Sequence, residues 1–373
     1  MIYLDNAATT KPSKEAVAAA TLMMSTYYAN PSSLHDAGIE VEKKVEEARG
    51  VIANACGVEK ECLYFTGSGT ISDNIAILGY LQNKRTGRII TSSYEHPAVL
   101  ECFKALENRF EVVYLNPVNG IITSELVDDA LTPDTIFVSI MHVNNETGAV
   151  TPISEISTIL KRKGIVFHTD AIQSFLKVQD KNNKTFNYSC VDMCSISGHK
   201  THGPKGIGAL YIKKGIKVKP VIYGGGQEKN VYSGTYNSAG IVSWASAVNN
   251  QIENFEKNLS YIKELNKKTR NMVEKLGGII ISPDNSSPYV LNVAFKEYIS
   301  ENILHYLSSR GIYVSTGAAC SSKKGSSIMK ALKLEKYQKN TLRISFSYEN
   351  TEAEIDVLKQ TLKSALNEII KVK

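Results

Sequence analysis

The chain is poor in the features that mark secreted and membrane-spanning proteins. Its 373 residues include one tryptophan and six cysteines, and the cysteines have no regular spacing. This excludes the dense disulfide framework of small secreted domains and predicts reduced thiols. No apolar run is long enough to span a bilayer, and the opening segment Met1-Ile-Tyr-Leu-Asp5 lacks the basic and apolar regions of a signal peptide. We therefore expect a soluble, cytoplasmic protein that does not bind a membrane.

Neither sign of charge dominates the chain. The sequence has 43 Lys and Arg against 37 Asp and Glu, a formal net charge of +6, and its basic residues are scattered. This pattern gives no support for direct binding to nucleic acid, which needs a basic arm or stripe. Hydrophobic residues at 43% and charged residues at 21% are in the globular range. At this length we expect two packed domains.

Short β-branched runs alternate with amphipathic stretches from about residue 60 to residue 212, a pattern typical of βαβ units around a mainly parallel sheet. Helices are predicted at Ser72–Gln82 and Ile153–Lys163, among others. The fold class is therefore α/β, with one large domain. The predicted strands are Leu63–Thr66, Arg88–Ser92, Glu111–Leu115, Ile136–His142, Ile165–Asp170, Met193–Ser197 and Ala209–Ile212.

The last third of the chain has a different pattern. Apolar positions at steps of three and four over residues 245–276 predict one long amphipathic helix that ends at Gly277-Gly278. We assign residues 15–250 to the large domain, and residues 1–14 with 251–373 to a smaller α+β domain. Its predicted elements are the strands Tyr289–Phe295 and Thr341–Ser347, the helix Glu301–Arg310 and a C-terminal helix from Glu352.

The segment 195–208 is the most informative part of the chain. A predicted strand runs here into a glycine-rich loop that presents Lys200 beside Ser197 and His199. Partial desolvation at a strand end lowers the pKa of a lysine, whose neutral amine can then form a Schiff base. From these residues alone, a surface lysine in a turn stays an open alternative.

Two residue pairs have spacings that a metal site could use. His199 and His202 would need one turn of helix, which the proline and glycines of their loop make unfavourable. Cys190 and Cys194 lie in an apolar segment where a strand would bury both, and no second Cys or His pair with zinc-like spacing lies nearby. We expect no metal site.

Two other strand ends favour a functional role for Lys200. Asp170 ends the predicted strand Ile165–Asp170, where a carboxylate is well placed to bind a pyridinium nitrogen, although it could instead cap the helix that follows. The segment Tyr64–Thr70 takes another strand into a Gly-rich turn before a helix. Its backbone amides can cradle a phosphate, and a plain turn is the open alternative.

Together these segments resemble class V aminotransferases of fold type I, and most closely the cysteine desulfurases of the NifS/IscS type. The resemblance covers nearly the whole chain, with the motifs in the same order. It implies pyridoxal 5'-phosphate (PLP) as the cofactor and a large PLP-binding domain. Further matching motifs are Tyr3-Leu-Asp-Asn-Ala-Ala-Thr-Thr10, Asn30-Pro-Ser-Ser33 with His35, Glu95-His96 with Ala98-Val-Leu100, and Val138-Ser-Ile-Met-His-Val-Asn-Asn-Glu-Thr-Gly148.

The resemblance also implies roles for individual residues. Lys200 would be the Schiff-base lysine, Asp170 the partner of the pyridinium nitrogen and Gln173 the partner of the ring hydroxyl. His96 would stack on the ring and take part in catalysis. Thr235 would reach in from a second subunit, which implies a homodimer. The phosphate would be held by Gly69, Thr70, Ser197, His199 and Thr235.

The remaining implied roles concern the substrate, L-cysteine. Asn145 and Arg343 would bind its carboxylate, a task for which a guanidinium fork is suited. Cys320 lies in a loop of small and polar residues and would attack the substrate sulfur, after cysteine has displaced Lys200 and Lys200 has moved the α-proton. The products would be alanine and a Cys320 persulfide. A sulfur-acceptor protein, of the scaffold or tRNA-thiolation type, would then take the sulfur.

Three alternative functions stay open, and several positions differ from the family pattern. A selenocysteine lyase or an ordinary class V transaminase would not need Cys320, and a PLP-free scaffold would need no catalytic residue. Tyr232 stands where relatives have an arginine, Ile71 where they have a glutamate, and Ser347-Tyr348 where Gly-Arg is common. These departures affect the phosphate contacts and the sulfur acceptor more than the core chemistry.

Overall fold

The computed structural model describes residues 1–182, 184–316 and 327–371. The chain opens with strand β1 (Ile2–Tyr3) and then builds a seven-stranded sheet. Its strands are β2 (Leu63–Thr66), β3 (Arg88–Ser92), β4 (Glu111–Leu115), β5 (Thr135–Ser139), β6 (Val166–Asp170), β7 (Met193–Ser197) and β8 (Gly208–Ile212). Their order is β2-β8-β7-β6-β5-β3-β4, and every pairing is parallel except the two made by β8. The predicted mainly parallel α/β sheet is confirmed.

Both faces of this sheet are covered. Successive side chains of a strand point to opposite faces, and the neighbours Ile89 and Ile90 of β3 accordingly belong to two different apolar clusters. Every residue of β7 and β8 is buried, as expected for central strands between helical layers. The helices of this part are α1 (Lys14–Ser25), α2 (Asp36–Cys56), α3 (Gly69–Asn74), α4 (Pro97–Leu106), α5 (Ser124–Ala130), α6 (Ile153–Arg162) and α7 (Ser238–Glu253).

A second, four-stranded antiparallel sheet has its own core. It is built from β9 (Ile279–Ile280), β10 (Val290–Ala294), β12 (Ser315–Thr316) and β13 (Thr341–Ser345), in the order β12-β13-β10-β9, while β11 (Ile312–Tyr313) pairs with β1. Leu4 packs into the same core as residues from 255 to 362, whereas Ile328 and Met329 pack into the core of the larger sheet. The exact domain boundaries stay a prediction. The helices here are α8 (Phe255–Lys275), α9 (Ser300–Ser308), α10 (Ser327–Ala331) and α11 (Glu352–Glu368).

The single long helix expected over residues 245–276 was wrong. The structure has two helices, α7 and α8, that meet at Asn254. Asn254 leaves the helical conformation, with φ −108° and ψ 11°, and its side-chain nitrogen donates to the carbonyl oxygen of Asn250 at 2.8 Å. An asparagine side chain that bonds the backbone competes with the helix. The apolar spacing hides this break because Ile252 and Phe255 are still three residues apart.

The cysteine pair in the 190–194 segment followed its prediction only in part. Cys194 is buried inside β7, but Cys190 ends a 3-10 turn and is half-buried, so the expectation that a strand buries both was wrong for Cys190. The strand begins later because Asp192 turns the chain, and its carboxylate accepts a hydrogen bond from the backbone of Phe167 at 3.0 Å. In the described ranges, no helix is both long and apolar enough to cross a membrane.

Candidate active site

The polar residues singled out in the sequence gather along one edge of the large sheet. His96 follows β3, Asn145 follows β5, Asp170 ends β6, and Lys200 comes three residues after the end of β7. These four strands are parallel neighbours, so their carboxyl ends meet at the same edge. Ligands of open α/β sheets bind in the crevice at this edge.

Lys200 is held by the N-terminal segment of the chain. It closes a 3-10 turn (Gly198–Lys200), and its Nζ donates to the carbonyl oxygens of Ala7 at 2.5 Å and Ala8 at 2.8 Å. Burial, assisted by the positive charge of Arg343, lowers the pKa of Lys200 to about 8. About a tenth of this amine is therefore neutral and nucleophilic at pH 7, far more than for a lysine at its ordinary pKa of 10.5.

Asp170 is a carboxylate at the same sheet edge as Lys200. It is buried, and its Oδ1 accepts a hydrogen bond from the backbone of Ile172 at 2.9 Å. Burial raises the pKa of Asp170, while His96 and Lys200 act in the opposite direction and favour its charged form. The segment after Asp170 is a turn, so Asp170 does not cap a helix there. The contact with Ile172 occupies one carboxylate oxygen and is compatible with cofactor binding.

His96 serves as the N-cap of α4. Its Nδ1 accepts a hydrogen bond from the backbone of Ala98 at 3.1 Å. His96 has exposed surface, but partial desolvation by the surrounding protein, together with the charge of Lys200, lowers its pKa against the opposing effect of Asp170. Since Nδ1 is an acceptor, the neutral ring carries its proton on Nε2. His96 can therefore present an N–H donor to a ligand in the crevice.

The glycine-rich turn after β2 makes a close approach to β7. A Cβ on Gly69 would come within 2.2 Å of Ile172 Cδ1 and 3.4 Å of Ser197 Cβ, so a larger residue there would have to displace the Ile172 side chain. The hydroxyl of Ser197 is buried and has no hydrogen-bond partner in the described part of the chain. Buried hydroxyls normally have partners, which suits a ligand that supplies acceptor atoms here.

The other residues assigned to the cofactor have different surroundings. Gln173 donates from Nε2 to the carbonyl of Ala7 at 2.7 Å, and its Oε1 is buried without a partner among the described residues. The Nδ1 of His199 lies 3.2 Å from the hydroxyl of Thr9, and burial lowers the pKa of His199 to about 4. Thr70 and Thr235 are exposed; Thr235 lines a small cavity that also contains Gly67 and Tyr232.

Arg343 and Asn145 join the two sheets. The Nη1 of Arg343, on β13, donates to the carbonyl oxygen of Asn145 at 3.1 Å. Arg343 Nε and Asn145 Oδ1 are both buried without a hydrogen-bond partner in the described ranges. An unsatisfied donor and an unsatisfied acceptor on these two residues suit a ligand that carries both kinds of group. The predicted nucleophile Cys320 lies outside the described residues.

Sequence reasoning missed the contribution of the N-terminal segment. Ala7 and Ala8 contact Lys200 and Gln173 through backbone carbonyls, and Asp5 forms an ion pair with Arg343. The sequence did show these residues within the matching motif Tyr3–Thr10, but the resemblance implied no role for any one of them.

Comparisons with known proteins agree with this arrangement. The family model Aminotransferase class-V matches residues 2–358. Cysteine desulfurase IscS from Dictyoglomus turgidum is 41% identical over 329 residues, which cover 86% of this chain and 82% of that protein. Cysteine desulfurase IscS from Methanosarcina thermophila is 39% identical over 372 residues, which cover 95% and 89%.

Solved structures give the same result. A NifS-like protein superposes with a TM-score of 0.92 at 33% identity, covering 99% of this chain and all (100%) of that one. SspA in complex with cysteine superposes with a TM-score of 0.82 at 32% identity, covering 94% of this chain and 100% of that one. The resemblance read from the motifs is confirmed: the chain belongs to the aminotransferase class-V family, among its cysteine desulfurases.

Proposed function

We propose that this chain converts L-cysteine to L-alanine with PLP attached to Lys200, and leaves the sulfur as a persulfide on Cys320. The observation that carries the proposal is the placement of Lys200, with its lowered pKa, beside Asp170 and His96 at one sheet edge. The relatives named cysteine desulfurases, and the likeness to SspA in complex with cysteine, support cysteine as the substrate.

The residues at the sheet edge fit PLP. Lys200 would hold it covalently and Asp170 would face its pyridine nitrogen. The unpartnered, buried Ser197 Oγ and Gln173 Oε1 would bind its phosphate and ring hydroxyl. Bound in this way, PLP supplies an electron sink for the carbon next to the substrate amine. Further contacts to the phosphate would come from Gly69, Thr70, His199 and a partner's Thr235.

The chain's own residues would carry the other steps. Arg343 and Asn145 would fix the substrate carboxylate, and the Lys200 amine would move the α-proton. A bond would form between the Cys320 sulfur and the substrate sulfur as the carbon–sulfur bond breaks. The substrate carbon would keep the electron pair, gain a proton and leave as alanine.

Product analysis tests this function. Protein loaded with PLP and incubated with L-cysteine plus a thiol reductant should release alanine and sulfide in equal amounts. Selenocysteine turnover without cysteine turnover would favour the lyase alternative, and amino-group exchange with a keto acid would favour a transaminase. A purified protein with no visible cofactor band after incubation with PLP would favour the scaffold.

We also infer a homodimer, a separate sulfur-acceptor protein and a cytoplasmic location. Large apolar side chains on and after α1 are exposed, with Met24 at 71%, Tyr28 at 77% and Leu34 at 94%, which suits a covered subunit face. Thr235 is exposed and free to reach a neighbouring subunit. Sedimentation combined with an activity dilution series tests the dimer; a fully active monomer would refute it.

A further inference from the structure

Arg343 already forms an ion pair inside this chain. Its Nη2 lies 2.8 Å from Oδ1 of Asp5, and its Nη1 donates to the carbonyl oxygen of Asn145 at 3.1 Å. Arg343 is 8% exposed, and its Nε has no hydrogen-bond partner in the described part of the chain. The protein therefore holds two nitrogens of the guanidinium and leaves the third without an acceptor.

The backbone fixes Asp5 independently of this ion pair. Asp5 forms a parallel bridge with Ser345, which lies two residues beyond Arg343 on β13. The amide of Ser345 donates to the carbonyl of Leu4 at 2.8 Å, and the amide of Ala7 donates to the Ser345 hydroxyl at 2.8 Å. The backbone that carries the Asp5 carboxylate is thus anchored beside β13 by contacts on both sides of Asp5.

We propose that Asp5 is a positioning residue that orients the Arg343 guanidinium for the carboxylate of an amino-acid substrate. This inference rests on the proposed function, in which Arg343 binds that carboxylate. An arginine on a free stem loses rotamer freedom when it binds, whereas a guanidinium held on two nitrogens meets its ligand with the donors already in place. Asp5 takes one Nη2 hydrogen, which leaves Nε and the remaining Nη hydrogens for the substrate.

Asp5 also acts on the reactive lysine. Burial lowers the pKa of Lys200 most, Arg343 lowers it further, and Asp5 acts against the effect of Arg343. Because Asp5 partly offsets the charge of Arg343, the guanidinium lies near Lys200 without lowering the pKa of Lys200 by its full effect. A residue with a merely structural role would not change the titration of Lys200, so this pKa supplies a second readout.

Two variants separate the hydrogen-bond acceptor of Asp5 from its charge. Asp5→Leu removes both, whereas Asp5→Asn keeps an oxygen acceptor. In the PLP-loaded enzyme, Asp5→Leu should raise KM for cysteine about tenfold and change kcat less than about threefold, because orientation in the ground state is lost. Asp5→Asn should recover most of that loss. In the apo-protein, both variants should move the pH midpoint for PLP attachment to Lys200 to lower pH.

A double-mutant cycle tests whether Asp5 acts through Arg343. In an Arg343→Lys background, Asp5→Leu should raise KM no further, because the oriented fork is already gone. An unchanged KM in Asp5→Leu, or additive effects in the cycle, would overturn the inference. If Asp5→Leu does not fold, Asp5→Ala, which also removes the acceptor, takes its place alone and with Arg343→Lys, with the same expected rise in KM and the same contradicting outcomes.

Failure of the proposed function would look different. Wild-type protein would then make no alanine from cysteine. The Lys200 midpoint in apo Asp5→Asn would still decide whether Asp5 is coupled to the site: a lower midpoint supports the coupling, and an unchanged midpoint rejects the inference.

Discussion

The amine of Lys200 donates to the carbonyl oxygen of Ala7 at 2.5 Å, across 193 residues of chain. The same carbonyl accepts a hydrogen bond from Gln173 at 2.7 Å. One backbone oxygen of the N-terminal segment therefore joins two residues that the proposed function assigns to the cofactor. The titration of Lys200 reports on this arrangement.

We expect PLP attachment to the apo-protein to depend on pH with a midpoint near 8. Only the neutral amine attacks, and the pKa of Lys200 is lowered from 10.5 to about 8, chiefly by burial. The attachment rate should rise about tenfold per pH unit below the midpoint and level off above it. Stopped-flow absorbance measures the rate, and borohydride reduction followed by peptide mapping identifies the lysine.

Lys200→Ala is the control for this profile. It should abolish the borohydride-trapped adduct while retaining the fold. A midpoint near 10.5, the ordinary value for lysine, would show that the protein does not activate this amine.

Asp170→Asn should weaken PLP binding by about tenfold or more and remove most of the activity. An amide has nearly the shape of the carboxylate but lacks the charge that a protonated pyridine nitrogen needs, and hydrogen bonds to charged groups are the stronger ones. A spectroscopic titration of the apo-variant with PLP measures the loss. Wild-type affinity and turnover in Asp170→Asn would show that this carboxylate does not face the pyridine nitrogen.

Asp73, in α3, is a second buried carboxyl group close to Asp170. It has no exposed surface, and neither of its oxygens has a hydrogen-bond partner in the described part of the chain. Its Oδ1 lies 3.6 Å from Nε2 of His168, but burial lowers the pKa of His168 to about 3, so the ring is neutral. Burial and then the charge of Asp170 raise the pKa of Asp73 well above its ordinary value. Folding therefore favours the protonated form of Asp73.

This raised pKa gives Asp73→Asn a distinctive pH dependence. A carboxyl whose pKa is raised by folding contributes stability that is complete below its unfolded pKa of 3.8 and is lost as the pH rises toward its folded pKa. The unfolding constant of the wild type relative to Asp73→Asn should therefore rise as the pH rises above 3.8, by up to about tenfold per pH unit, until Asp73 also ionises in the folded protein. Urea unfolding of the two apo-proteins measures this ratio. A ratio that does not change with pH would mean that Asp73 is already ionised in the fold.

Local patterns predicted much of the large sheet. The strands Leu63–Thr66, Arg88–Ser92, Glu111–Leu115 and Met193–Ser197 have the predicted bounds, because β-branched runs flanked by turn residues are read within a few positions of the chain. The break between α7 and α8 was missed since it depends on the conformation and one side-chain contact of Asn254. Apolar periodicity does not register such a contact.

In the candidate site, too, some features could be predicted from the sequence and others could not. Lys200 and Asp170 could be located from the sequence because parallel strands bring their carboxyl ends to one edge, whichever residues precede them. The contacts of Lys200 with Ala7 and Ala8 could not, because they use backbone carbonyls that carry no side-chain signal and lie about half the chain away. The ion pair of Asp5 with Arg343 was missed for the same reason of distance along the chain.

The central claim is that the sulfur of cysteine passes to Cys320, and turnover by the Cys320→Ser variant tests it most directly. A serine hydroxyl ionises far less readily than a thiol and cannot carry a persulfide, whereas PLP capture uses other residues. Half-buried Cys190 provides the matched control, Cys190→Ser. We expect Cys320→Ser to keep the visible cofactor band but to lose alanine and sulfide production by about 100-fold or more. Cys190→Ser should keep both the band and the production. Near-normal conversion of cysteine to alanine by Cys320→Ser would contradict sulfur transfer to Cys320.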